Sequence, residues 1–83
     1  MYILGDIGNS ETKVFLVNSK NKIIKNINFS SKKINNKILS SKFKSLIKDY
    51  SLVNKILFCS VVPKSFILIK KFLAKNSKIR CYE

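Results

Sequence analysis

The sequence predicts an α/β fold on a mixed sheet, with its elements in the order β-β-β-α-β-α-β. Three features carry that expectation. Apolar and β-branched runs of strand length occupy Tyr2 to Ile7, Thr12 to Val17, Lys22 to Phe29 and Lys55 to Val62. Between and after the later runs, two segments repeat apolar side chains every three or four residues, the spacing of one helix face. Short clusters of Gly, Asn, Ser and Pro punctuate the whole.

Taken in order, Tyr2 to Ile7 is apolar at almost every position, as expected of a central strand covered on both faces. Gly8-Asn9-Ser10 signals a turn, and Thr12 to Val17 returns as the second strand of a hairpin. Asn18 to Asn21 form a second polar turn, and Lys22 to Phe29 alternate as a third strand. A Ser/Lys/Asn linker from Ser30 to Asn36 leads into a helical stripe of Ile34, Ile38, Leu39, Phe43, Leu46, Ile47 and Tyr50. Ser51 to Asn54 break that stripe, and Lys55 to Val62 reads as another buried strand. Pro63 suits the first turn of a helix, where its missing N–H costs nothing. Phe66, Ile69, Phe72 and Leu73 line that second helix, which should stop near Asn76-Ser77. Lys78 to Tyr82 is a fifth strand, still in progress at Glu83, so an incomplete domain is expected. Two hairpin steps followed by right-handed helical crossovers give a mixed sheet of ribonuclease-H-like type.

At 83 residues the chain is one small domain at most, able to bury only about 60% of its unfolded surface. No apolar run approaches the ~18 residues that span a bilayer, and Asp6 interrupts the region where a signal peptide would be apolar. A cytoplasmic location, with no membrane contact, is the expectation. Cys59 and Cys81 both fall in apolar segments, and with no His in the chain each is expected to be a buried, reduced thiol. The net charge of +13 would ordinarily suggest a polyanionic partner. Yet every basic residue except Arg80 is Lys, spread without any block longer than a pair. Specific nucleic-acid readers favour the planar fork of Arg. A solvated Lys surface, and no nucleic-acid partner, fits that distribution better.

The strongest local signal is Asp6-Ile7-Gly8-Asn9-Ser10-Glu11-Thr12-Lys13. A carboxylate ending a buried strand is costly unless a cation or hydrogen-bond donors meet it. Gly8 permits positive φ and close approach, Asn9 tolerates left-handed backbone, and Ser10 and Thr12 carry hydroxyls. Successive N–H groups in such a turn can cradle an anion, with Asp6 holding hydrated Mg²⁺ and Lys13 reaching a phosphate. The same residues also make an ordinary hairpin turn, with Asp6 capping it and Lys13 solvated.

Asp6 to Ser10 at this position resembles the first phosphate motif of type III pantothenate kinases. Ser60-Val61-Val62-Pro63, after Ile56-Leu57-Phe58, resembles a second segment of that family. The resemblance spans the whole chain but only the opening part of the family's longer sequences. It implies membership of the acetate kinase, sugar kinase, Hsp70 and actin superfamily, with nucleotide held between two ribonuclease-H-like halves. It implies ATP-dependent phosphorylation of pantothenate to 4′-phosphopantothenate in coenzyme A biosynthesis, by a cytoplasmic homodimer.

Carried over, Asp6, Ile7, Gly8, Asn9, Ser10, Glu11, Thr12 and Lys13 form the ATP-phosphate loop, with Asp6 acting on Mg²⁺ through water. Ser10 stands where the family more often has Thr, and keeps the hydroxyl. Ser60 to Pro63 reads equally well as a structural turn aiming the next helix. No catalytic residue is expected in this chain: Glu11, Asp49 and Glu83 are the only other acids, and the family's Gly-Ala-Asp-Arg segment has no counterpart. The monovalent cation (K⁺ or NH₄⁺) implied by the family would bind beyond Glu83. Alternatives are another ATP-binding member of the superfamily, or a small Lys-rich nucleic-acid-binding protein.

Overall fold

A computed structural model describes all residues from Met1 to Glu83. Five strands and two helices follow one another as β1 (Tyr2–Ile7), β2 (Glu11–Val17), β3 (Ile23–Ser30), α1 (Asn36–Leu46), β4 (Lys55–Ser60), α2 (Pro63–Asn76) and β5 (Cys81–Tyr82). A single 3₁₀ turn, Tyr50–Leu52, lies between α1 and β4. The sheet runs β3-β2-β1-β4-β5. β1 pairs antiparallel with β2 and parallel with β4, while β2–β3 is antiparallel and β4–β5 parallel. The result is a mixed α/β sheet with β1 at its centre.

β1 departs from the expected two-sided burial. Its side chains alternate, with Ile3, Gly5 and Ile7 buried and Tyr2, Leu4 and Asp6 exposed. β4 does the same: Ile56 and Phe58 face the core, Leu57 and Cys59 face out. The buried set packs with Leu39, Phe43 and Leu46 of α1 and with Phe66, Ile69, Phe72 and Leu73 of α2 in one cluster. Within these residues a single helical layer covers the sheet, so apolar character on the outer positions does not translate into burial. Cys59 is exposed for that reason, against expectation, whereas Cys81 is buried as expected.

Helix ends follow from particular side chains. Asn35 caps α1, its Oδ1 accepting from Ile38 N–H at 2.9 Å. The stripe expected to continue to Tyr50 stops at Leu46, because Ile47 turns extended (φ −147°, ψ 132°) while remaining buried. Asp49 then caps the 3₁₀ turn, accepting from Ser51 N–H at 3.0 Å and Ser51 Oγ at 2.6 Å. Pro63 opens α2, and Ser77 closes it by donating its N–H to Leu73 O at 2.8 Å. β5 is shorter than expected. Ile79 N–H is held by Ser77 Oγ at 3.0 Å, so Lys78 and Ile79 stay in a local bend and only Cys81–Tyr82 join the ladder.

Gly5 has a packing role that its place in a strand conceals. A Cβ there would lie 1.9 Å from Cε1 of Phe58, whose ring is fully buried on the neighbouring strand. Absence of a side chain on β1 is what seats the ring on β4. Gly5→Ala forces backbone or ring displacement in a close-packed interior and should cost about 1–3 kcal/mol. Chemical denaturation of the two proteins measures it; an unchanged midpoint overturns the packing role.

Candidate functional site

The turn after β1 is built by backbone pairing rather than by special dihedrals. Gly8 N–H donates to Glu11 O at 3.0 Å, closing the hairpin. Neither Gly8 nor Asn9 has positive φ; the only left-handed residue is Asn21 (φ 62°), in the next turn. Gly8 is instead a matter of room: a Cβ would come within 3.1 Å of Glu11 O. Two neighbouring segments brace the turn. Val61 N–H donates to Ile7 O at 3.1 Å from beyond β4, and Ser31 N–H donates to Ser10 O at 3.0 Å from beyond β3.

The eight residues singled out in the sequence separate into two groups. Ile7 and Thr12 are fully buried, and the Thr12 hydroxyl shares a 2.7 Å hydrogen bond with Ser31 Oγ. Both side chains pack into the interior beneath the turn. Asp6, Asn9, Ser10, Glu11 and Lys13 are exposed, with Gly8 partly so. The N–H groups of Asn9 and Ser10 donate to nothing within the chain, leaving two adjacent donors facing no internal partner. Asp6 and Lys13 are opposite one another in the β1–β2 ladder, with Asn28 beyond Lys13 on β3 and Cys59 beyond Asp6 on β4. That row forms the polar end of the sheet's uncovered face.

On the helix side of the turn lies an open concavity of about 590 Å³. Asn9, Lys32, Lys64 and Ser65 are among the residues that line it. The two lysines escaped the sequence reading because Lys32 sat in a scattered basic background and Lys64 followed a helix-opening proline. Their convergence depends on the β3 exit lying beside the start of α2. The turn therefore has open space around it.

The remaining acids stand apart from one another. Glu11 begins β2 and is exposed. Asp49 lies before the amino end of β4, at the opposite end of the sheet from the turn. Hydrogen bonds from the Ser51 hydroxyl and then the Ser51 N–H hold its carboxyl below the usual carboxylate range. Glu83 borders a shallow hollow with Leu4, Leu57 and Cys59 on the uncovered face. No group of three His, Cys, Asp or Glu side chains comes together to hold a metal ion. No helix is long and apolar enough to cross a membrane.

The fold and this turn define a mixed α/β domain that presents an exposed hairpin flanked by the carboxylates of Asp6 and Glu11. Residues 2–83 match the family model for type III pantothenate kinase. A type III pantothenate kinase from Pelagibacter ubique (strain HTCC1062) is 52% identical over 83 residues, covering all of this chain and 34% of the relative. The chain belongs to the type III pantothenate kinase family, and spans about a third of the length of that curated relative.

The two cysteines give a test of the site's surroundings. Burial, partly offset by Lys70, pushes the Cys81 thiol up to about 11. The neutral thiol is the form the fold favours. Its contribution to stability is complete below pH 9 and is lost as pH climbs through about 11. Iodoacetamide at pH 8 should therefore label Cys59 and spare Cys81 in the folded chain. Equal labelling of both, read by peptide mass spectrometry, contradicts this placement.

Proposed function

We propose that this chain is the amino-terminal part of a ribonuclease-H-like ATPase domain that binds the phosphates of Mg·ATP in a pantothenate kinase. The observation that carries the proposal is the pair of unpartnered N–H groups at Asn9 and Ser10, exposed on the turn that follows Asp6. Backbone donors in succession suit an oxygen-rich anion. Lys13, opposite Asp6, adds a positive charge on the same face. Gly8 keeps the turn narrow, while Ile7 and Thr12 anchor it from below.

The residues present fit a hydrated Mg²⁺. Such an ion keeps several waters and needs only one or two carboxylates plus substrate phosphates, and Asp6 is an exposed carboxylate beside the turn, with Glu11 also exposed at its exit. When bound, the ion would offset negative charge on the phosphate oxygens. Asp6 would hold the ion's water shell, and the Asn9 and Ser10 N–H groups would fix the phosphate tail. Neither role supplies a base for the acceptor hydroxyl. A monovalent cation, K⁺ or NH₄⁺, would draw its ligands from beyond Glu83.

The remaining functional proposals follow from family membership. They are phosphorylation of pantothenate to 4′-phosphopantothenate for coenzyme A synthesis, a homodimeric enzyme, and a cytoplasmic location. The second half of the kinase lies outside these residues. The uncovered face supports this division. Phe15, Leu4, Leu57 and Tyr82 form an apolar row in register across four strands, and the last three are exposed. All-parallel sheets are covered on both sides, and the β1–β4–β5 half of this sheet is parallel.

Two outcomes test the proposal. A hybrid of the Pelagibacter relative, carrying this chain in place of its matched segment, should lose on the order of 10²-fold in kcat with Asp6→Asn. Lys20→Ala, in the far turn, should leave turnover intact; equal rates for the two variants remove Asp6 from the site. The 83-residue chain alone should transfer no phosphate to pantothenate, and detection of 4′-phosphopantothenate from purified chain and Mg·ATP would overturn that expectation.

A further inference from the structure

Behind the turn runs a buried chain of hydroxyl and backbone groups that joins it to α2. Ser31, the first residue after β3, is its hub. Its N–H donates to Ser10 O at 3.0 Å. Its Oγ shares the 2.7 Å bond with Thr12 Oγ1, and its carbonyl accepts from Ser65 Oγ at 3.1 Å. Thr12 is 0%, Ser31 7% and Ser65 4% exposed, so water cannot readily replace any of these partners. No buried side-chain polar atom is left unpaired. Every hydrogen-bonding group of Ser31 is thus spent on fixing one segment to another.

The consequence falls on the exposed side. Ser10 O and Ser10 N–H belong to adjacent peptide groups of one residue. Fixing Ser10 O, and Thr12 two residues later, restricts the orientation of the unpartnered N–H groups at Asn9 and Ser10. Ser65 lies in the first turn of α2, which Pro63 and the Val61–Ile7 bond aim toward Ser31. The turn's donors are therefore oriented by contacts reaching across three separate stretches of sequence.

We propose that Ser31, Thr12 and Ser65 are positioning residues for ATP: they set the angle of the Asn9–Ser10 donors through Ser31. The inference rests on the phosphate-binding role of that turn. A buried neutral hydroxyl interaction is worth enough to alter binding by roughly five- to tenfold when removed. The loss should appear in KM for Mg·ATP, while KM for pantothenate is unchanged, because only the donors move.

The test uses the hybrid kinase described above. Thr12→Val, which keeps shape and removes the hydroxyl, should raise KM for Mg·ATP by roughly five- to tenfold. Thr12→Ser, which keeps the hydroxyl, should restore it. Ser65→Ala should act likewise, and the double variant Thr12→Val with Ser65→Ala should cost less than the product of the two single effects, as expected of groups sharing one hub. A uniform drop in active enzyme with unchanged KM values, or fully multiplicative effects, overturns the positioning role. Should a variant kinase fail to fold, amide NMR of the 83-residue chain decides: Ser65→Ala must shift the Asn9 and Ser10 resonances, and unmoved resonances overturn the proposal. Loss of ATP dependence on Asp6 would instead strike the phosphate-binding reading itself, so the two failures are separable.

Discussion

β1 occupies the centre of the sheet, and its two-residue period governs what each face can do. Ile3, Gly5 and Ile7 must point the same way, toward α1 and α2, because successive side chains in a strand alternate. Asp6 is thereby committed to the other face, between Lys13 and Cys59 in neighbouring strands. A one-residue slip would bury the carboxylate and expose Ile7, and a buried carboxylate without a partner is costly. The core therefore decides which face carries Asp6. Gly5 sharpens the constraint, since the Phe58 ring fills the space its side chain would take and ties the register of β4 to that of β1.

With that register fixed, the turn at Gly8–Ser10 inherits its place at the end of the central strand. It carries no strained backbone and needs none. Its shape comes from hydrogen bonds accepted by Ile7 O and Ser10 O and one donated by Gly8 N–H, which leave the N–H groups at Asn9 and Ser10 free. Electrostatics acts on top of this geometry. Acids are few, with Asp6 and Glu11 flanking the turn, whereas Lys13 is on one side of it and Lys32 and Lys64 are on the other. A strongly basic chain gives such a turn a positive setting without any ion pair having to be broken.

Much of this was legible in the sequence. The strands, the Pro63 start of α2 and its Asn76 end follow from period, punctuation and proline chemistry, which are local. The α1 boundary was not, because Ile34 to Tyr50 keep a helical spacing while Ile47 reaches the core from extended backbone. The one-sided coverage of β1 and β4 was hidden for a different reason. Tyr2, Leu4 and Leu57 are apolar although exposed here, so composition reports the face they suit rather than what covers it. At the turn, the candidates Asp6, Asn9 and Ser10 were readable from residue type. Burial of Thr12 was not, since its partner Ser31 lies 19 residues away and the pairing depends on the β2–β3 register.

The second motif, Ser60-Val61-Val62-Pro63, acquires a role from the same geometry. Ser60 Oγ accepts from Val62 N–H and donates to Val62 O, each at 3.0 Å, curling the chain as β4 ends. Val61 N–H is spent on Ile7 O, the last residue of β1. Pro63 then starts α2 with a fixed φ, and two residues later Ser65 meets Ser31 O. Each step shortens the range of directions α2 can take relative to the turn. Val62 is only partly buried and Val61 is exposed, so packing alone would not hold this segment. Hydrogen bonds do, and they run toward β1 and the β3 exit rather than outward. The motif is thus placed to aim a helix: the first turn of α2 reaches Ser31 behind Ser10, and the two sequence signatures meet at one corner of the sheet.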